Sequence, residues 1–182
     1  MYLAFPASEL NAATSRLVGN QSGVAITLHC AVDDERDWLC ELYASTRETE
    51  MAMVPWTDAQ KAAFLAQQFS LQHHHFVTHY PSASFDIVRA GDVPIGRLYV
   101  DRTHPWTIID IALLPAWQSR GIGRLLIEET LRQAHDVGAD VDLHVAAHNV
   151  RARTLYERLG FVVTAMGEMH HAMRHPVRLG QT

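Results

Sequence analysis

The stretch Gln118-Ser119-Arg120-Gly121-Ile122-Gly123 has the composition of a site for a pyrophosphate. It follows the apolar run Thr107-Ile108-Ile109-Asp110-Ile111-Ala112-Leu113-Leu114, which Pro115 closes. Downstream, Ile122, Leu125, Leu126, Glu129, Leu131 and Ala134 trace one broad side that is apolar except for a single acid. This spacing predicts a strand, a turn and a helix from about Gly121 to Val137, stopped at Gly138. The first N–H groups of such a helix lack intrahelical acceptors and carry the positive end of its dipole, so they suit anionic oxygens. Gly121 and Gly123 let the main chain approach phosphates with no Cβ in the way. Neither standard nucleotide signature fits: no Lys-Ser/Thr follows the glycines, and Leu126 stands where a dinucleotide fingerprint has its third glycine.

A second block follows: Leu143-His144-Val145, then Asn149-Val150-Arg151-Ala152-Arg153-Thr154-Leu155-Tyr156-Glu157-Arg158-Leu159-Gly160-Phe161. Together the two blocks resemble the GNAT superfamily of N-acyltransferases. Its motifs are Gln/Arg-x-x-Gly-x-Gly/Ala at a strand-to-helix turn and Asn-x-x-Ala-x-x-x-Tyr followed by Gly-Phe. The motifs and their connecting helix cover about Thr107 to Phe161, and the likeness continues more loosely from Val24 to about Arg174.

The resemblance implies a mixed α/β fold (α+β), with a central, mostly antiparallel twisted sheet flanked by helices and a pyrophosphate-binding turn between strand and helix. It implies acetyl-CoA, or a related acyl-CoA, as acyl-donor substrate, held by the backbone of Gln118, Ser119, Arg120, Gly121, Ile122, Gly123 and Arg124. The pantetheine arm would pair with the main chain of Ile111, Ala112, Leu113 and Leu114. Asn149 would sit beside that arm and Tyr156 close to the thioester sulfur.

Acyl transfer to an amine needs the neutral amine, whereas a lysine-like amine has a pKa of about 10.4. At pH 7 the deficit is roughly 4.6 kcal/mol, and a positioned base typically contributes ~10²- to 10⁴-fold. His144, five residues before Asn149, stands where several relatives carry a glutamate base, and Asp110 lies on the motif strand. An ordinary histidine accepts a proton better than an ordinary aspartate by roughly 3.5 kcal/mol, so His144 is the first choice of base. Asp142, His144 and Ala146 would share one strand face and Val141, Leu143 and Val145 the other, so His144 also suits a hydrogen-bonded packing role. Asp110 equally suits a structural partner or a holder of a substrate cation. Thr107 stands where relatives often have a catalytic glutamate and cannot act as a base at neutral pH. Tyr156 is the candidate general acid, because a phenol can donate to the departing thiolate; packing its helix against the sheet is the other use of that ring.

The 12 histidines include His73-His74-His75 with His79, and His170-His171 with His175. His75 and His79 share a helical face, but Phe76 replaces the glutamate of a metalloprotease helix. A solvated or interface cluster is expected, and no functional metal site. Glu48, Glu50 and Trp56, in a loop expected from Arg47 to Trp56, could receive a cationic or aromatic amine.

The elements that must position these groups fit one domain. The chain has 182 residues, 48% hydrophobic and 19% charged, ordinary for a globular protein. A net charge of -5 argues against a nucleic-acid-coating surface. Cys30 and Cys40 match neither a disulfide framework nor a zinc pattern. Met1 to Leu10 lacks a basic n-region, and no stretch reaches the ~20 apolar residues of a membrane span. A cytoplasmic monomer or homodimer is expected, with no nucleic-acid or membrane partner. Residues 1–23 are expected as a tail or arm, 24–176 as a single acyltransferase domain, and 177–182 as a tail. Within the domain, Val24 to His29 reads as a strand, and Asp33-Asp34-Glu35 opens a helix reaching about Thr46. Thr57 and Gln60 suit a capping box for a helix reaching about His79. Gly91-Asp92 turns a hairpin, and Ala139 to Ala146, Asn149 to Leu159 and a pair of strands turning near Gly167 complete the order.

The reading is an N-acetyltransferase acting by direct attack on acetyl-CoA in a ternary complex. The acceptor is a small-molecule or peptide amine. The alternative is a non-catalytic acyl-CoA-binding or regulatory module.

Overall fold

A computed structural model of the chain describes residues 3–6 and 15–177. Among the described residues eight strands form one sheet in the order β1-β2-β3-β4-β5-β6-β8-β7. The strands are β1 (Arg16–Gln21), β2 (Val24–Cys30), β3 (Ser84–Ala90), β4 (Val93–Asp101), β5 (Trp106–Leu113), β6 (Val141–Ala146), β7 (Val162–Met166) and β8 (His170–His175). Five α-helices among the described residues flank them: α1 (Arg36–Ser45), α2 (Glu48–Ala52), α3 (Asp58–His79), α4 (Ile122–Asp136) and α5 (Val150–Arg158). Every neighbouring pair is antiparallel except β5 and β6. The expected mixed, mostly antiparallel sheet with flanking helices is the one observed.

Two cores sit on opposite faces. On one, Ile122, Leu126 and Ile127 of α4 and Tyr156 of α5 pack on Ile26, Val88, Leu98, Ile108, Leu143 and Met173. On the other, Leu39 and Leu42 of α1 and Leu65 and Phe69 of α3 pack on Phe85, Ile87 and Tyr99. The alternating strand pattern feeds both layers. Thr57 caps α3 as the sequence predicts: its hydroxyl accepts from the Gln60 N–H, and the Gln60 side chain returns the bond to the Thr57 backbone.

Three expectations are corrected. Residues 16–21, assigned to a tail or arm, form β1 and pair with β2. The missed signal is Ser22-Gly23, whose φ values of 51° and 80° make a tight two-residue hairpin turn between Gln21 and Val24. Residues 1–2 and 7–14 of the expected arm and 178–182 of the expected C-terminal tail lie outside the described residues. Val177 is tied to the fold through its N–H, which donates to Asp140 at 2.8 Å. Finally, the expected loop from Arg47 to Trp56 contains α2, whose first turn carries Glu48 and Glu50. Acids suit a helix N-terminus, and the Met51 N–H donates to the Arg47 carbonyl at 2.9 Å.

Candidate active site

β5 pairs with β4 along its length but with β6 only over Trp106, Ile108 and the residue between them. The register against β4 slips between Tyr99 and Val100, leaving Ile109 as an extra residue on β5. Such a bulge bends its strand, and beyond it β5 and β6 part. β6 keeps its other edge paired with β8 as far as Ala146. The gap is a cleft of about 1870 Å³ lined by Ile109 to Leu113, by Leu143 to Asn149, and by residues from both helical layers. Main-chain N–H and C=O groups on the open edge of β5 therefore border the cleft without a neighbouring strand, an edge that an extended amide-bearing ligand can complete.

At the C-terminal end of β5 the chain passes through a short turn at Pro115–Trp117 into α4. The Gln118 side-chain amide donates to the Leu113 carbonyl at 2.9 Å, closing that turn. Ser119 and Gly121 both take left-handed backbone conformations, with φ of 62° and 81°. Gly121 is the N-cap of α4, and the first helical bond runs from the Leu125 N–H to its carbonyl at 3.0 Å. The N–H groups of Ile122, Gly123 and Arg124 thus precede the bonded ladder. A Cβ on Gly123 would meet no atom within 4 Å, so the space over the helix start is open. Arg120 stacks on Trp117 at 5.0 Å, Arg124 pairs with Glu128 at 2.8 Å, and Arg151 of α5 donates to the Ser119 hydroxyl. These residues fit an acyl-CoA: an open helix N-terminus for phosphate, leading into an unpaired strand edge for the amides of pantetheine.

Asn149 is the N-cap of α5, and its side-chain oxygen accepts from the Ala152 N–H at 3.1 Å. Capping explains the residue type locally and leaves the side-chain NH₂ free to donate. Tyr156, also on α5, is 8% exposed, packs on Phe161 at 5.8 Å and lines the cleft. Burial, with Asp110 as a smaller contributor, pushes its phenol up to about 12, so it stays protonated.

Asp110 does not stand alone. Its Oδ2 accepts from Arg97 Nε at 2.7 Å, and Arg97 also donates to Gln72 Oε1 of α3 at 2.7 Å. Arg97 is 3% exposed at its side chain, against 22% for Asp110. His144 is exposed and lines the cleft, and among the described residues its side chain has no hydrogen bond. Val141, Leu143 and Val145 are buried in the α4 and α5 core, so Asp142, His144 and Ala146 face the other side, as the alternation predicts. The cleft thus gathers His144, Tyr156, Asp110, Asn149, most of the β5 run and most of the turn; Leu114 instead packs in the α1 and α3 core, the Ile122 side chain in the α4 and α5 core, and Arg120 on Trp117.

Arg97 and Gln72 were not singled out from the sequence. A lone arginine in the run Val93-Pro94-Ile95-Gly96-Arg97-Leu98-Tyr99, one strand from a lone aspartate, is the signal that could have found the pair. The histidine clusters split: His73 is buried and bonds the Leu3 carbonyl at 2.8 Å, while the rings of His75 and His79 stack at 4.1 Å. Among the described residues no three His, Cys, Asp or Glu side chains converge to hold a metal ion. No helix among them is long and apolar enough to cross a membrane.

The model of the acetyltransferase (GNAT) family matches residues 26–161, and the chain belongs to that family. A mycothiol acetyltransferase from Catenulispora acidiphila is 32% identical over 108 residues, 59% of this chain and 30% of that relative, so the chain spans under a third of its length. Among solved structures, the PaiA N-acetyltransferase of Thermoplasma acidophilum in complex with coenzyme A superposes with a TM-score of 0.64 at 16% identity, over 83% of this chain and 98% of that one. The microcin C7 self-immunity acetyltransferase MccE, in complex with acetyl-CoA and AMP, gives 0.60 at 14% identity, over 88% and 94%.

Proposed function

We propose that this enzyme transfers the acetyl group of acetyl-CoA to a primary amine, both substrates meeting in the cleft between β5 and β6. The observation that carries the reading is the continuity of that cleft: it runs from the open N-terminus of α4, along the unpaired edge of β5, to a mouth walled by α1, α2 and α3. The donor enters from the α4 side and the acceptor from the side of Tyr43, Glu48 and Tyr80, all of which line the cleft. Such an arrangement supports direct attack, with no acyl-enzyme in between.

Bound acetyl-CoA supplies the activated acyl group, a thioester. The backbone amides from Ser119 to Arg124 hold its phosphates, and the edge of β5 from Ile111 to Leu113, with the Asn149 amide, orients the arm. His144 takes the amine proton, directly or through one water; its exposure in the cleft and free ring support that role. Tyr156 stays protonated and donates to the sulfur as it leaves. Asp110, fixed by Arg97, orients the incoming amine or its second polar group instead of taking its proton. The acceptor is a small-molecule or peptide amine, and the setting where acyl-CoA is found, the cytoplasm, fits the reading.

The test is release of free thiol from acetyl-CoA against a panel of amines: the acceptors of mycothiol acetyltransferases, diamines, amino-acid amides and short peptides. Mass spectrometry must find an acceptor heavier by one acetyl group. Thiol release independent of every amine would overturn the transferase assignment.

A further inference from the structure

β1 precedes the segment that matches the family, yet it lies against the first turn of α4. Two glycines make that approach possible. A Cβ on Gly19 would stand 3.1 Å from Leu125 of α4, and a Cβ on Gly121 would stand 3.2 Å from Gln21 Nε2, 3.5 Å from its Cδ and 3.6 Å from its Oε1. Gly19 and Gln21 are two apart on β1 and so share its face. The whole Gln21 carboxamide therefore sits over the N-cap of α4. It is half-buried and makes no side-chain hydrogen bond among the described residues.

We propose that Gln21 is a donor-binding residue, its side-chain NH₂ donating to a pyrophosphate oxygen of acetyl-CoA seated on the turn from Gln118 to Arg124. The inference rests on the proposed donor site and adds to it a strand outside the family match. Its physical basis is the donor count. Backbone N–H groups of the turn, those of Ile122, Gly123 and Arg124 along the helix axis among them, meet the anion first, and pyrophosphate oxygens, each with more than one lone pair, still accept further bonds. A neutral carboxamide beside Gly121 supplies a lateral donor with no net charge, and the hairpin turn at Ser22-Gly23 fixes where β1 ends. The cations nearest the turn already have partners: Arg124 in Glu128, Arg120 in Trp117 and Arg151 in Ser119.

The experiment is calorimetric titration of the full chain with CoA and with dephospho-CoA, which keeps the pyrophosphate and lacks the 3′-phosphate. The proteins are wild type, Gln21→Ala, Gln21→Glu and Gly123→Val. Gln21→Ala should weaken CoA binding about five-fold, the loss of one hydrogen bond. Gln21→Glu, which sets a carboxylate against the anion, should weaken it by about ten-fold or more. Both losses should recur with dephospho-CoA, at unchanged melting temperature. Unchanged affinity in Gln21→Glu overturns the proposal, and so does a loss confined to CoA, which would place the contact on the 3′-phosphate. A loss accompanied by a fall in melting temperature in both Gln21 variants overturns it as well. Failure of the underlying reading looks different: wild type would not bind CoA, or Gly123→Val would bind it as tightly as wild type.

Discussion

Asp110 and Arg97 form an ion pair across adjacent strands, with Nε donating to Oδ2 at 2.7 Å and the guanidinium almost wholly buried. The pair sits where β5 leaves β6, so the only carboxylate on β5 is committed to a neighbour before any substrate arrives. Removing one member leaves a buried cation uncompensated, which typically costs about 3–5 kcal/mol. Asp110→Asn should therefore lower stability by about 3 kcal/mol in urea unfolding, near the low end because the amide oxygen still accepts one bond. The double variant Arg97→Met, Asp110→Leu should recover most of that loss. If Asp110→Asn is as stable as wild type but loses the pH dependence of turnover, Asp110 is the base after all.

His144 gives the complementary expectation. Its side chain is exposed in the cleft and free among the described residues, so His144→Gln should change stability by less than about 0.5 kcal/mol, as surface substitutions do. The same change should lower kcat by about 10²- to 10⁴-fold, the usual contribution of a positioned base. The limb of the wild-type profile in which the rate rises with pH should vanish. A retained limb in His144→Gln would assign the proton to another group.

The difference between these two residues shows what was legible in the sequence. Face alternation in Val141-Asp142-Leu143-His144-Val145 correctly turned His144 away from the α4 core, because period-two patterning is a local property. The fate of Asp110 depends on Arg97, 13 residues away and on another strand, and on Gln72 of α3, so no local pattern could set it. β1 was missed for a related reason. Its apolar content is Leu17 and Val18, too little for a periodicity, and its stability comes from pairing with β2 and from contact with α4. The strand-turn-helix at Gln118 to Gly123 was legible because its glycines answer to backbone geometry: Gly121 has φ of 81° and Gly123 faces open space. α2 was hidden by its five-residue length.

Tyr156, the proposed acid, also bears on alkaline stability. Burial first, and the Asp110 charge second, raise its phenol from about 10 to about 12. A raised folded-state value means that the stabilisation is fully present below the unfolded value of about 10 and is lost as pH rises toward 12. The rise corresponds to roughly 3 kcal/mol. Tyr99, buried and raised likewise to about 12, adds a parallel loss. Urea unfolding at pH 9 and pH 11 should show wild type losing more stability across that interval than Tyr156→Phe. Equal losses would mean that Tyr156 titrates normally.

The helix start allows a clean separation of binding from folding. Gly121 has a left-handed backbone and faces Gln21, so Gly121→Val must strain the protein even without ligand. Gly123 is different: it lies within α4 and a Cβ there meets nothing within 4 Å. A β-branched residue is no worse than glycine in a helix, so Gly123→Val should leave the melting temperature unchanged or slightly raised. Its side chain would occupy the space through which, in the proposed complex, a phosphate would reach the first N–H groups of α4. The dissociation constant for CoA should rise by about ten-fold or more, since each charge-assisted bond is worth about 1.5–3 kcal/mol. Turnover at saturating acetyl-CoA should change less than KM does, because Tyr156 and His144, the proposed acid and base, belong to α5 and β6 and not to this turn. Wild-type affinity in a folded Gly123→Val protein would move the phosphates off this turn.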